Sequence, residues 1–240
     1  MKIILIAIFT GLVFQISAQT TIVNDANAKP RTITGSFSAV SVASGIELLL
    51  TQGDDISLAV SASETKYEER LKTVIENNVL KIYYDNAGIS WVNEKKRSLK
   101  AYLSFRTLEK IIASSGASVK AAGKLNFNML ELKINSGALV KFDMFAKEIS
   151  VRGDSGAEAS LSGNAEKVEI NVSSGASFKG FDLKTSFCTA KASSGGSVRI
   201  NIEKELSAKA NSGGDIRYSG TGVIKEINVN SGGSVKKTNS

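Results

Sequence analysis

Ser115-Gly116-Ala117 returns as Ser136-Gly137-Ala138, Ser155-Gly156-Ala157, Ser174-Gly175-Ala176, Ser194-Gly195-Gly196, Ser212-Gly213-Gly214 and Ser231-Gly232-Gly233, with serine-to-serine spacings of 21, 19, 19, 20, 18 and 19 residues. A repeat of about 19 residues belongs to a stacked-coil architecture, because one such unit cannot bury its own apolar face and must lie against the next. Four residues before each serine stand Ile111, Leu132, Val151, Ile170, Ala190, Ala208 and Ile227, and two before it Ala113, Ile134, Gly153, Val172, Ala192, Ala210 and Val229. Apolar residues at alternate positions mark a half-buried strand. Four residues after the serine come Val119, Val140, Ala159, Phe178, Val198, Ile216 and Val235, which open a second strand beyond the corner.

Stacking like on like makes the strands parallel. The repeat region therefore reads as an all-β, right-handed parallel β-helix (β-solenoid), the hand following the chirality of parallel crossovers. A left-handed hexapeptide solenoid would need an aliphatic residue at every sixth position, and that pattern is absent. The corner glycines Gly116, Gly137, Gly156, Gly175, Gly195, Gly213 and Gly232 are assigned a structural role, since glycine reaches φ > 0 and has no side chain to meet the coils above and below. Before each serine sits a small polar residue (Ser114, Asn135, Asp154, Ser173, Ser193, Asn211, Asn230), a row spaced for hydrogen bonds from coil to coil. A row of catalytic serines would need a base beside each, and the chain has no histidine.

Val40 to Leu50 shows the same alternation around Ser44-Gly45 and reads as an early rung. Strands are expected at Ile56–Ser61, Val79–Tyr84 and Leu99–Phe105, and Tyr67, Leu71, Val74 and Ile75 fall at helical spacing within a short amphipathic helix over Glu64–Asn77. This irregular region is the expected cap of an open strand stack. Lys2 followed by the apolar run Ile3–Val13 and the small-residue exit at Ala18 reads as a cleaved export signal, and the run is too short to span a bilayer. The predicted organisation is residues 1–18 signal peptide, 19–36 leader of the mature chain, 37–107 β-rich cap, 108–236 solenoid repeats and 237–240 tail.

The Gly45-to-Gly53 segment, the Val79-Leu80-Lys81-Ile82 strand, the Ser-Gly-Ala/Gly array and the stretch from Leu206 to Gly220 together resemble the auto-transporter adhesin head GIN domain family, a domain of unknown function in exported Bacteroidetes-type proteins. The resemblance runs from about Phe37 to Val235. It implies a β-solenoid exported to the periplasm or beyond, and it carries over no catalytic residues.

Arg152-Gly153-Asp154 spells an integrin-type tripeptide, but Gly153 falls on an inward strand position. Cys188, the single cysteine, is in register with Leu130, Ile149, Val168 and Leu206 and reads as a buried hydrophobe without a disulfide or metal partner. Trp91 beside Lys95, Lys96 and Arg97 offers an aromatic and basic contact for a phosphate, a nucleic-acid strand or a sugar ring, and the alternative reading is a solvated loop. Asp143, Glu148, Glu158 and Asp215 are scattered over different rungs. The net charge of +7 favours anionic partners in general and no fold in particular. The reading is an exported, non-enzymatic binding module with no cofactor, no metal and no nucleic acid, whose partner is a glycan or an envelope protein in the periplasm, at the cell surface or outside the cell. Two alternatives stand beside it: a polysaccharide lyase or hydrolase on the same scaffold, and a purely structural periplasmic protein. Convergent carboxylates in a concave face would mark the enzyme; a flat strand face rich in Lys, Ser and Thr would mark binding.

Overall fold

The computed structural model of the chain describes residues 25–87 and 97–238. The export segment at residues 1–18 and the loop residues Trp91, Lys95 and Lys96 lie outside the described residues. Within them the chain is an all-β solenoid of about seven turns with one short helix.

The N-terminal part contains β1 (Lys29–Arg31), β2 (Ala39–Val42), β3 (Glu47–Gln52), β4 (Ser57–Ser61), α1 (Thr65–Glu68), β5 (Leu71–Glu76), β6 (Val79–Tyr84) and β7 (Lys100–Phe105). The coils follow as β8 (Lys110–Ala113), β9 (Ser118–Ala121), β10 (Leu125–Ile134), β11 (Leu139–Gly153), β12 (Glu158–Val172), β13 (Ser177–Ala192), β14 (Ser197–Ala210), β15 (Asp215–Ser219), β16 (Val223–Val229) and β17 (Ser234–Lys237). From β8 onward each strand pairs in parallel with its counterpart one coil later, so that Leu132 meets Val151, Val151 meets Ile170 and Ile170 meets Ala190. The Ser44-Gly45 rung belongs to this stack. Its β2 and β3 pair in parallel with β8 and β9.

The inward columns are those the alternation predicts. Val140, Phe178, Val198 and Ile216 are all at most 1% exposed, and one continuous apolar core runs the length of the coils. Each such side chain contributes roughly 1.5–3 kcal/mol relative to leaving it in water. The alternation slips where two successive residues face outward, as at Asn128-Met129, Lys147-Glu148 and Glu166-Lys167, and β13 has two such doublets, Phe181-Asp182 and Ser186-Phe187. At the first three the cross-strand pairing skips one residue, Asn128 with Lys147 and Lys147 with Glu166, and resumes in register beyond.

The corner itself is a type I′ turn. Both central residues have positive φ, 47–63° for the serines and 69–75° for the glycines that follow them, and the turn closes by a backbone bond such as Ala138 N–H to Asn135 O at 3.1 Å. Coil is tied to coil by the backbone here too: Gly137 N–H donates to Ser155 O and Gly156 N–H to Ser174 O, both at 3.1 Å. The predicted side-chain ladder along the small polar row is replaced by this backbone ladder. Among the described residues no side-chain bond links one member of the row to the next, and Asp154 instead accepts from Ser155 Oγ of its own turn at 2.6 Å. The expected crowding at the corner glycine is also corrected, since a Cβ on Gly137 would meet nothing within 4 Å. The φ alone demands glycine there. Close approach occurs one residue later in the last coils, where a Cβ on Gly214 would lie 2.2 Å from Ala192 O, which is why Ala gives way to Gly in those rungs.

The helix expected over Glu64–Asn77 shrinks to α1, four residues long, and Leu71–Glu76 is a strand. β5 pairs antiparallel with β6 through Asn77-Asn78, both at positive φ (51° and 62°), a type I′ hairpin. The β-branched run Thr73-Val74-Ile75 suits the strand, and the helical spacing arose because Tyr67 and Leu71 are buried from different elements. β4 pairs antiparallel with β7, and β1 with β4, so three antiparallel contacts close this end of the stack. Lys29 and Arg31 of β1 both bind the buried Glu68 carboxylate, Arg31 Nη2 at 2.8 Å, which fastens β1 to α1.

Candidate functional site

Two outward faces flank the Ser-Gly corner. On the strand after the corner, position five beyond the serine is held by Lys120, Lys141, Ser160, Lys179, Arg199, Arg217 and Lys236. Consecutive members are cross-strand partners, so cations stand about 4.8 Å apart from coil to coil. Like charges directly opposite destabilise a sheet. Alternate members are relieved by carboxylates of the same face: Lys120 by Glu47 at 3.2 Å, Lys179 by Glu158 at 2.6 Å and Arg217 by Asp215 at 2.9 Å.

The strand before the corner carries a second column, Lys133, Arg152, Asn171, Lys191, Lys209 and Asn228, again in cross-strand register. Glu131 neutralises Lys110 and Lys133, both at 2.8 Å, and these bonds hold the Glu131 carboxyl below its ordinary value. Two shallow grooves lie on this face. One, of about 230 Å³, is lined by Asn171, Lys191, Ala192, Ser193, Lys209 and Asn211. The other, of about 480 Å³, includes Phe187, Thr189, Glu205, Ser207 and Lys225.

The four scattered carboxylates remain separate in space as in sequence. Glu148 faces Lys167 at 3.6 Å, Glu158 faces Lys179, Asp215 faces Arg217, and Asp143 accepts from Ser162 Oγ at 3.4 Å. Among the described residues no group of three His, Cys, Asp or Glu is placed to hold a metal ion. Cys188 is buried, and desolvation pushes its thiol up to about 12. Arg152-Gly153-Asp154 is part of the wall: Arg152 and Gly153 are paired on both sides in the ladder, and Asp154 N–H donates to Ile134 O. An integrin-type ligand presents this tripeptide on a projecting loop, which this geometry is not.

Arg97 is the described member of the aromatic-and-basic loop. Its guanidinium lies 4.4 Å from the centre of the Tyr84 ring and donates to Asn86 Oδ1 at 3.1 Å. It anchors the connection between β6 and β7. The outward columns on the coils were missed as sites in the sequence, although the period of about 19 residues is the signal that aligns them.

A parallel β-solenoid with open, polar and cation-bearing strand faces defines the class to which the chain belongs, a repeat scaffold of stacked coils. Residues 36–222 match the family described as "Putative auto-transporter adhesin, head GIN domain", and the chain belongs to that family. No curated protein matches it. Among solved structures it is similar to a putative adhesin from Bacteroides fragilis NCTC 9343 (TM-score 0.79, 16% identity, covering 89% of this chain and 98% of that one). It is also similar to a putative adhesin from Parabacteroides merdae ATCC 43184 (0.68, 18%, 88% and 95%) and to a putative lipid binding protein from Parabacteroides distasonis ATCC 8503 (0.63, 19%, 90% and 98%). At these identities the likeness is one of fold. Among the described residues no helix is long and apolar enough to cross a membrane.

Proposed function

We propose that the chain is an exported, non-enzymatic adhesion or binding module whose partner is a glycan or an envelope protein, met in the periplasm, at the cell surface or outside the cell. The observation that carries this reading is the pair of regular outward faces, built from Lys, Arg, Ser and Asn columns, with the carboxylates of Glu47, Glu131, Glu158 and Asp215 tied to local cations. Such a face supplies hydrogen-bond donors at a fixed pitch and offers no acid and base converging on one bond, which hydrolysis or elimination at a sugar would require. Residues 1–18 act as the export signal and are removed. The segment with Trp91, Lys95, Lys96 and Arg97 supplies a second contact element.

Mature chain screened on a glycan array and against envelope extracts, with each hit incubated for turnover, tests the reading. Saturable binding without product formation supports it. Release of shortened or unsaturated sugar from a hit would replace it with the enzyme reading, and absence of any ligand would leave the structural one. Anionic and neutral vesicles belong in the same screen, since one structural neighbour is described as a putative lipid binding protein.

A further inference from the structure

Lys191 and Lys209 are direct cross-strand partners on β13 and β14, which places like charges about 4.8 Å apart at the backbone. Their direct neighbours on this face, across and along the strands, are all asparagine, serine or threonine, Asn171 and Asn211 among them, and the carboxylates Glu169 and Glu226 stand one step off on the diagonals. Neither lysine has an ion-pair partner among the described residues, whereas Lys133 of the same column is neutralised by Glu131 at 2.8 Å. An uncompensated like-charge pair costs the sheet stability. An anion seated between the two ammonium groups would remove that cost. The space for one exists, the groove of about 230 Å³ lined by both lysines with Asn171, Ser193 and Asn211.

The groove does not stop there. Four residues back along β13, about 13 Å at strand rise, Phe187 is 45% exposed in the adjoining groove, with Lys204 Nζ 5.4 Å from its ring centre. The face thus offers, in order, an apolar ring, the hydroxyls of Thr189 and Ser207 flanked by the carboxylates Glu169 and Glu226, and a double cation edged by Asn171 and Asn228. A pyranose has an apolar C–H face for the ring and hydroxyls for these hydroxyl and carboxylate groups, and an acidic substituent on the next sugar completes the match at the lysines. An acyl chain would need an enclosed apolar cavity, and these grooves are shallow and open. We propose that this face holds a short anionic oligosaccharide, its carboxylate or sulfate between Lys191 and Lys209 and a sugar ring against Phe187; the proposal rests on the glycan-binding reading above and assigns it a site and a ligand class.

The test titrates the full mature chain with trigalacturonate, a sulfated galactose trisaccharide, neutral galactotriose and phosphatidylglycerol vesicles, by calorimetry and by amide chemical shifts. The variants are Lys191→Gln with Lys209→Gln, Phe187→Ser, and Lys133→Gln as a control on the same face. Replacing both lysines removes repulsion and leaves the fold intact, checked by a melting temperature no lower than the parent's. At least one acidic trisaccharide is expected to bind about tenfold or more tightly than the neutral one. The double glutamine variant abolishes that preference, Lys133→Gln changes it by no more than about twofold, and Phe187→Ser weakens acidic and neutral sugars alike. No binding of either acidic trisaccharide, equal binding by the double variant, or binding of vesicles without binding of sugars overturns the proposal. A glycan hit that survives the double variant would overturn this site while leaving the module reading in place; failure of every glycan and envelope partner would remove both.

Discussion

Ser136 and Gly137 share the left-handed region at φ 51° and 70°, yet only the glycine adopts it without steric penalty; for an L-residue the cost is roughly 1–2 kcal/mol. The serine at each corner therefore stores strain that the turn bond and the coil-to-coil bond from the neighbouring glycine offset. A Cβ at Gly137 meets open space, whereas one at Gly214 runs into the Ala192 carbonyl at 2.2 Å. Gly137→Ala is accordingly expected to cost about 1 kcal/mol, from φ alone, and Gly214→Ala about 3 kcal/mol, because two coils must separate. Urea denaturation of both variants measures this, and a larger loss at Gly137 would show that the corner is sterically crowded after all. Cys188 supplies a second residue-scale expectation. With burial holding its thiol up to about 12, an aromatic disulfide reagent at pH 8 should leave the native protein unlabelled and modify it stoichiometrically in denaturant; rapid labelling of the native state would place Cys188 at the surface.

At the scale of the strand, inside and outside are decided by single steps of the alternation. Val198 is fully buried while the adjacent Arg199 is outward between Lys179 and Arg217. Val198→Asp places an unpaired carboxylate in the core and should destabilise by several kcal/mol, on the order of 3–5. Arg199→Asp should stay within about 0.5 kcal/mol of the parent, since it also relieves a run of like charges. Chemical denaturation decides, and a larger loss from Arg199→Asp would overturn the register. The strands of the repeats were legible because period-two alternation recurs in every coil, so that local ambiguity in one rung is resolved by the others. β5 was not legible in this way. Its Tyr67-Leu71-Val74-Ile75 spacing fits a helix, and only the Asn77-Asn78 turn, a type I′ signal, points to the hairpin with β6 that the structure contains.

For the whole molecule, the two ends of the stack differ. The N-terminal end is closed by antiparallel strands and by a clasp in which Tyr102 Oη (2.6 Å) and Ser61 Oγ (2.7 Å) both donate to Asp25 Oδ2. The C-terminal coil has no such cover among the described residues: Ile227 and Val229 are 46% and 44% exposed in columns that are at most 5% exposed in the earlier coils. The clasp titrates at both limits. Hydrogen bonds from Tyr102, then Ser61, lower the Asp25 carboxyl below its ordinary 3.8, so its contribution is present above about pH 4 and lost as pH falls through the lowered value. Desolvation, then the bond to Asp25, raises the Tyr102 phenol from 10.0 to about 12, so that contribution is present below pH 10 and lost as pH rises toward 12. Ultraviolet titration should show Tyr102 ionising well above the ordinary phenol value of 10.0, and Asp25→Asn should bring it earlier. An unchanged Tyr102 titration in that variant would mean the hydrogen bond contributes nothing.

The residues alone determined the solenoid, its period of about 19, its inward columns and the requirement for glycine after each corner serine, because these follow from backbone sterics and short-range alternation repeated seven times. They also carried enough pattern to show the family. Tertiary structure decided what depends on contact between distant segments: the antiparallel closure over β2 and β3, the Asp25 clasp, and the grouping of Lys191, Lys209 and Phe187 on one face. Coil lengths of 18 to 21 residues are absorbed where the alternation slips, so which outward side chains become neighbours is set by how the coils stack, a property that no single repeat contains.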